Sequence, residues 1–248
     1  MATQRNASPL MTVKGLAGLL YRMGRTFDGL NTSRMATEEF LRTGNPQVVG
    51  SRNDYALLCD LKDASSYVIE YDYSAHPMDL AWFTGINAKM TRTAAMEPGV
   101  LRTAENVIVS TRRGTYTPPV PDEAAIEHEL DLATGDGGAS PSNSGHGTEP
   151  SQSSPALHRA SHMFATLAKM QPFGDGNKRT ALLAANGLLL RLGSPDILAV
   201  PTEPPARDTF NDQLSAWYLD DDPTVIGWLA EWNGTGEIRL DERPVFAE

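Results

Sequence analysis

The stretch Gln171-Pro172-Phe173-Gly174-Asp175-Gly176-Asn177-Lys178-Arg179-Thr180 constrains this chain most, because it is wedged between two apolar helical patterns. Upstream, Pro155 opens a helix whose Leu157, Ala160, Phe164, Leu167 and Ala168 share one face, and Pro172 and Gly174 break it just after Met170. Downstream, a helix from Asn177 runs through Leu182, Leu183, Ala185, Leu188 and Leu189 to Gly193, a normal C-terminal glycine. A short glycine-bearing loop entering a helix presents unpaired backbone N–H groups and the positive end of the helix dipole, where a phosphate binds best. Gly174 and Gly176 let the backbone come close, Arg179 adds a planar donor and Lys178 a compact charge. Asp175 supplies a hard oxygen suited to a magnesium ion shared with those phosphates. The glycine spacing is not that of a P-loop. The plainer alternative is a capping turn, with Asp175 and Asn177 as caps and Lys178 and Arg179 in solvent. Against it, two basic residues in a first helical turn sit at the wrong end of the dipole unless an anion is there.

The rest of the chain reads as further helices. Val13, Leu16, Leu19, Leu20 and Met23 place a helix over 11–30, and others are expected over 38–43 and 55–71. Leu80, Phe83, Ile86, Ala88 and Met90 continue the pattern over 79–95. The run Asn106-Val107-Ile108-Val109-Ser110 is rich in β-branched residues and is followed by Thr111-Arg112-Arg113-Gly114-Thr115-Tyr116, which predicts a small β-hairpin with 106–110 as one arm. Pro118, Pro119 and Pro121 end the strand, and Asp122 caps a helix through Ile126 and Leu130. Two last helices are expected over 210–218 and, capped by Asp222 with Pro223 in the first turn, over 224–232. Composition shifts sharply only over 134–155, which is almost entirely Gly, Ser, Pro, Asn and Thr; it predicts a mobile, disordered insertion within one domain.

The 248 residues hold 31 acidic against 21 basic side chains, a net charge of -10. That field repels a phosphate backbone or an anionic membrane surface, so neither nucleic acid nor membrane is an expected partner. No stretch approaches ~20 uncharged apolar residues, and the N-terminus lacks the apolar run of a secretory signal, so a cytoplasmic location is expected. Cys59 is the single cysteine, which fits a reducing compartment, and its ordinary role is that of a small buried hydrophobe.

Other chemistry-bearing residues have ordinary explanations. His158 and His162 stand one helical turn apart, but Arg159 follows where a zinc protease helix carries glutamate, so they read as surface or interhelical histidines. His76, His128 and His146 have no partner at ligand spacing. Asp220-Asp221-Asp222 reads as a helix cap with solvated neighbours. Trp217, Tyr218, Trp228 and Trp232 read as core or an interface, which leaves a homodimer open.

The contiguous PFGDGNKRT resembles the core motif HPFx(D/E)GN(G/K)R of the Fic/Doc (Fido) family, and the likeness extends to 98–119, which resembles the family's flap hairpin and its exit. Many members transfer AMP from ATP to a hydroxyl of a target protein with magnesium, whereas Doc-type members transfer a phosphate. The resemblance implies a mostly α fold, a Fic-like helical bundle with a small β-hairpin flap. It implies an N-terminal helical region, 1–75, packed on a Fic-like domain, 76–248. By position, Asp175 would hold magnesium, Gly174, Gly176, Asn177, Lys178 and Arg179 would bind nucleotide phosphates, and Phe173 would anchor the loop. Val107, Ile108, Val109, Ser110 and Thr111 would pair with an extended segment of a target protein. ATP, magnesium, a target protein and an antitoxin are thus the implied ligands and partners.

Three departures bear on activity. Gln171 stands where the family has the histidine that takes the proton from the attacking hydroxyl; an amide cannot do so, and losing a positioned base costs on the order of 100- to 10,000-fold. Leu182 stands where many nucleotidyl-transferring members carry a second arginine. Residues 30–37 resemble the family's inhibitory helix with Ala36 in place of its glutamate. The expectation is an AMP transferase weakened or altered at Gln171; the alternatives are a non-catalytic binding module, a Doc-like phosphotransferase, or an enzyme in which Gln171 orients a nucleophile already ionised.

Overall fold

A computed structural model of the chain describes residues 8, 10, 12–93, 97–135 and 153–234. Helices α1 (Val13–Phe27), α2 (Arg34–Thr43) and α3 (Arg52–Glu70) come first, with a 3-10 turn at Pro46–Val48. Next, α4 (Leu80–Asn87) leads into an antiparallel hairpin of β1 (Val109–Thr111) and β2 (Gly114–Tyr116), which pairs Val109 with Tyr116 and Thr111 with Gly114. Five helices complete the described chain: α5 (Glu123–Thr134), α6 (Pro155–Met170), α7 (Asn177–Arg191), α8 (Ala206–Asp220) and α9 (Thr224–Gly234). The mostly α architecture with one small hairpin is the one expected.

The first six helices start in the same way. Thr12, Ser33, Ser51, Asp79, Asp122 and Ser154 each accept a first-turn N–H through a side-chain oxygen, which satisfies one of the donors a helix start leaves unpaired. Helix α7 breaks that rule, since its N-cap is Gly176, left-handed at φ 76°, with no side-chain cap.

Helix α7 is also the axis of the core. It is buried from Arg179 to Leu189, with α6 packed along it and α1, α3 and α4 against its other faces. A helix buried on all its faces belongs in the middle of a bundle rather than on its surface. Gly187 lets neighbouring side chains approach α7 closely, because a Cβ there would lie 2.7 Å from both the Trp82 ring and the Tyr73 hydroxyl. Helix α6 packs in turn on α9 and α5, so both helices flanking the 171–176 loop are enclosed by others.

The structure corrects several boundaries. The helix expected over 79–95 stops at Asn87, because the Asn87 side chain is committed elsewhere: Nδ2 donates to the Asp175 carbonyl and to Thr180 Oγ1, and Oδ1 accepts from Gly99 N–H. Met90 stays buried from a turn, so the apolar pattern outlasts the helix. The strand lies at 109–111 instead of 106–110, the register being set by a turn closed on Thr111 Oγ1 by the N–H groups of Arg113 and Gly114. Helix α2 begins at Arg34, four residues before the expected start. Cys59 is only half-buried against the core. Of the insertion expected at 134–155, residues 136–152 lie outside the described residues. No helix among the described residues is long and apolar enough to cross a membrane.

Candidate functional site

The loop between α6 and α7 is held from four sides. Phe173 is fully buried, its ring 5.4 Å from that of Phe83, and its backbone bridges Leu101. The Asn177 amide closes the loop on itself, Oδ1 accepting from Phe173 N–H at 2.7 Å and Nδ2 donating to the Phe173 carbonyl at 2.9 Å. Asn87 holds the Asp175 carbonyl from α4. Arg102, itself buried, donates from Nε to the Gln171 carbonyl at 2.7 Å, from Nη1 to the Ala104 carbonyl and from Nη2 to the Pro119 carbonyl. One guanidinium thereby ties the start of the loop to both stems of the hairpin. At Gly176 a side chain would be strained by the positive φ and would lie 3.0 Å from Asn87 Nδ2 and Met90 Sδ, so glycine is required there.

So fixed, the loop forms one wall of a cleft of about 310 Å³. Residues 174–179 line it together with Phe27, Asp28, Gln171 and residues 107–110. The first-turn N–H groups of α7 have no side-chain cap to satisfy them at this end of the helix. Neither Asp175 nor Asn177 serves as that cap: Asp175 Oδ1 accepts the N–H of Gly176 at 2.6 Å, and Asn177 is occupied with Phe173. The capping-turn alternative therefore does not describe this helix start.

Arg179 is buried, and each of its guanidinium nitrogens faces an oxygen. Nη1 donates to Thr93 Oγ1 at 2.9 Å, Nε lies 3.4 Å from Asp28 Oδ1, and Nη2 lies 3.5 Å from Asp175 Oδ2. Burial pushes the Asp28 carboxyl up to about 6; Arg179 and Lys178 pull it down, while the neighbouring charge of Asp175 raises it further. Burial likewise pulls the Lys178 ammonium below its ordinary range, offset by Asp28, and its Nζ sits 5.8 Å from the centre of the Phe27 ring. The cleft thus holds two cations against two carboxylates, and one of the carboxylates is costly to ionise.

Gln171 is buried and caps α6 in the left-handed region, φ 47°, ψ 55°. Its Nε2 donates to the Ala168 carbonyl at 2.6 Å. The Tyr218 hydroxyl is buried beside the Gln171 side chain; burial pushes its ionisation up, and the polar contact with the Gln171 amide opposes this.

A second cleft of about 370 Å³ adjoins the first, sharing Val109, Ser110 and Lys178. Its far wall is α8, through Asn211, Leu214, Ser215 and Tyr218. The hairpin stands between the clefts, with Tyr116 stacked on Tyr218 at 5.4 Å and its tip tied to α8 by the ion pairs Arg112–Asp208, 2.7 Å, and Arg113–Asp220, 3.2 Å.

Of the residues expected at a site, Gln171, Gly174 to Arg179 and Val107 to Ser110 converge on the first cleft, and Thr111 faces the second. Leu182 is fully buried in the core. The alignment that placed an inhibitory position at Ala36 is not supported, because the N-terminal carboxylate that reaches the cleft is Asp28, at the C-terminal end of α1. Sequence reasoning missed Asp28, Asn87, Thr93 and Arg102, all far from the motif; the Asp-Gly pair at 28–29 just past a helical stripe was the one local signal. His162 is interhelical, its Nδ1 2.9 Å from Glu129 Oε1. Among the described residues no cluster of three or more His, Cys, Asp or Glu could hold a metal by itself.

Residues 77–189 match the Fic/DOC family model. The fold is similar to that of a Fic-domain-containing signaling protein from Bacteroides thetaiotaomicron VPI-5482, at 16% identity and a TM-score of 0.71 over 94% of this chain and 89% of that one. Fic-1 (residues 134–508) from C. elegans matches at 19% identity and a TM-score of 0.62, over 91% of this chain but 62% of its own. A Fic family protein from Desulfovibrio desulfuricans G20 matches at 14% identity and a TM-score of 0.63, over 94% and 67%. Comparison with curated proteins finds no match.

Proposed function

On the premise that residues 77–189 form a Fic/DOC domain, we propose that the chain binds ATP with magnesium across the two clefts and is an AMP transferase scaffold without its general base. The observation that carries this is the uncapped start of α7, aimed into a cleft that also holds Arg179, Lys178 and Asp175. Backbone N–H groups and two cations suit the phosphates. The second cleft, walled by Leu214 and Tyr218 and reached past Lys178, has the volume and mixed polarity for a nucleoside. Asp175 offers one half-exposed carboxylate, which fits a magnesium ion whose other ligands are phosphate oxygens and water. Bound there, the ion would neutralise charge on the phosphates.

In AMP transfer the hydroxyl oxygen of the target bonds to the α-phosphorus while the bond to pyrophosphate breaks, and the hydroxyl proton must leave. Gln171 cannot take it. Its amide Nε2 is held by the Ala168 carbonyl, leaving Oε1 to orient a hydroxyl without accepting its proton. Electrostatic stabilisation by the loop survives this loss, so slow transfer remains. Residues 107–111 are the docking edge for a target segment, since β1 has β2 on one side only. The same tethered amide favours a second reading, a binding module that holds nucleotide and partner without turnover.

Incubation of wild type and Gln171→His with magnesium and ATP labelled separately at the α- and γ-phosphate, with and without cell lysate, tests both. We expect α label on protein to rise about 100- to 10,000-fold in the histidine variant. A γ label would replace AMP transfer by phosphate transfer. ATP binding with no label in either protein would favour the binding module, and absence of ATP binding by calorimetry would overturn the nucleotide reading.

A further inference from the structure

The geometry points to Asp60 and Thr93 as positioning residues for Arg179, set outside the cleft. Asp60 lies on α3, with its side chain fully buried. Its carboxylate accepts the backbone N–H of Thr93 at 2.7 Å and the Thr93 hydroxyl at 2.8 Å, while Arg92 donates to it from its backbone at 3.0 Å and from Nη1 at 3.0 Å. The Thr93 hydroxyl then accepts from Arg179 Nη1 at 2.9 Å. The direction of this relay is dictated by chemistry. A carboxylate only accepts and a guanidinium only donates, so the single hydroxyl proton of Thr93 must point at Asp60, and its lone pairs are left for Arg179.

The relay does what the other two contacts of Arg179 cannot. Asp28 and Asp175, at 3.4 and 3.5 Å, lie beyond good hydrogen-bond range and both line the cleft, where an anion would compete with them. Thr93 is not part of that lining. It holds Nη1 and leaves Nε and Nη2, the edge that faces the two carboxylates, as the edge open to a phosphate. A buried carboxylate behind the hydroxyl strengthens the bond without adding a negative charge to the cleft. It also links the N-terminal helices to the motif, since Asp60 and Arg179 are joined through one side chain.

This role rests on the nucleotide reading for its purpose but not for its first measurement. The carbon-13 and nitrogen-15 signals of the Arg179 guanidinium in the whole protein, without ligand, report rotation about its Cζ–Nη1 bond. Restricted rotation is expected in wild type, free rotation in Thr93→Val, and restriction again in Thr93→Ser, each measured well below its own unfolding midpoint, since Thr93→Val also lowers stability. Equal rotation in wild type and Thr93→Val overturns the positioning role. Calorimetry with magnesium–ATP then separates the two claims: Thr93→Val should bind roughly tenfold more weakly or worse, and Thr93→Ser within about twofold of wild type. Failure of wild type to bind ATP sinks the nucleotide reading, while the guanidinium signal still decides the role of Thr93. Undiminished affinity in Thr93→Val overturns its part in binding.

Discussion

The two walls of the first cleft are built by opposite means. The 171–179 loop is bound from inside the core, through Phe173, Asn87, Asn177 and the Arg102 guanidinium, all buried. The hairpin at 109–116 has three residue pairs, one stacked tyrosine and two ion pairs whose side chains are all at least 39% exposed. A wall that must present N–H groups to an anion gains from being unable to move, because donors already aligned need no reorganisation when the charge arrives. A wall that accepts a strand from another chain gains from adjustable side contacts. The contrast divides the cleft into a fixed anion side and a yielding partner side, and substitutions on the two sides should differ in size.

The largest effect is expected at Phe173. Phe173→Ala removes a fully buried ring from beneath the loop and should cost about 3–5 kcal/mol of stability, read as a lower denaturant midpoint at unchanged slope. A loss below about 1 kcal/mol would show that the loop is not anchored in the core and would break the contrast.

Asp28 should show a smaller effect with a definite pH signature. Its carboxyl is raised from 3.8 to about 6, chiefly by burial. The folded chain therefore holds this proton where the unfolded chain has released it, and stability from this group is full below about pH 4 and lost as pH rises to about 6. Asp28→Asn lacks that penalty. The variant's stability minus that of wild type should climb from near zero at pH 4 to about 1–2 kcal/mol above pH 6, less than the full linkage value because Asp28 keeps part of its surface in solvent. A difference that stays flat across this range would mean that the carboxylate is fully solvated in the folded protein, and Asp28 would then not belong to the fixed anion side.

How much of this was legible in the sequence depended on range. The helix pair around the motif, its glycines and the caps at Asp122 and Asp222 could be read because their determinants lie within a few residues. The end of α4 could not, because the apolar stripe runs on through Met90 while the backbone is diverted by bonds from Asn87 to residues 99, 175 and 180. Arg102 and Thr93 look like ordinary surface residues until the fold brings them to Gln171 and Arg179. The conversion of an Asp-Gly helix end into a cleft wall is invisible in the same way, since Asp28 meets Arg179 only through the packing of α1 on α7. Periodicity reports which face is buried; it carries no information on which distant polar group a buried face will meet.

The smallest effect tests the yielding side. Replacing Arg112 and Arg113 together by alanine removes both ties between the hairpin tip and Asp208 and Asp220 of α8. Exposed pairs of this kind are each worth under about 1 kcal/mol and are screened by salt, so the unfolding midpoint should barely move. Local opening should change more than global stability, because beyond the Arg102 tie at its stems and the Thr111 turn the three-residue ladder is held only by Tyr116 on Tyr218. Amide hydrogens of 109–116 should exchange faster in the double variant, and those of 177–189 at the wild-type rate. Raising the salt concentration should bring wild type toward the variant. Equal acceleration in both segments would mean that hairpin and loop open as one unit through Arg102, and the division of the cleft into a fixed and a yielding wall would not hold.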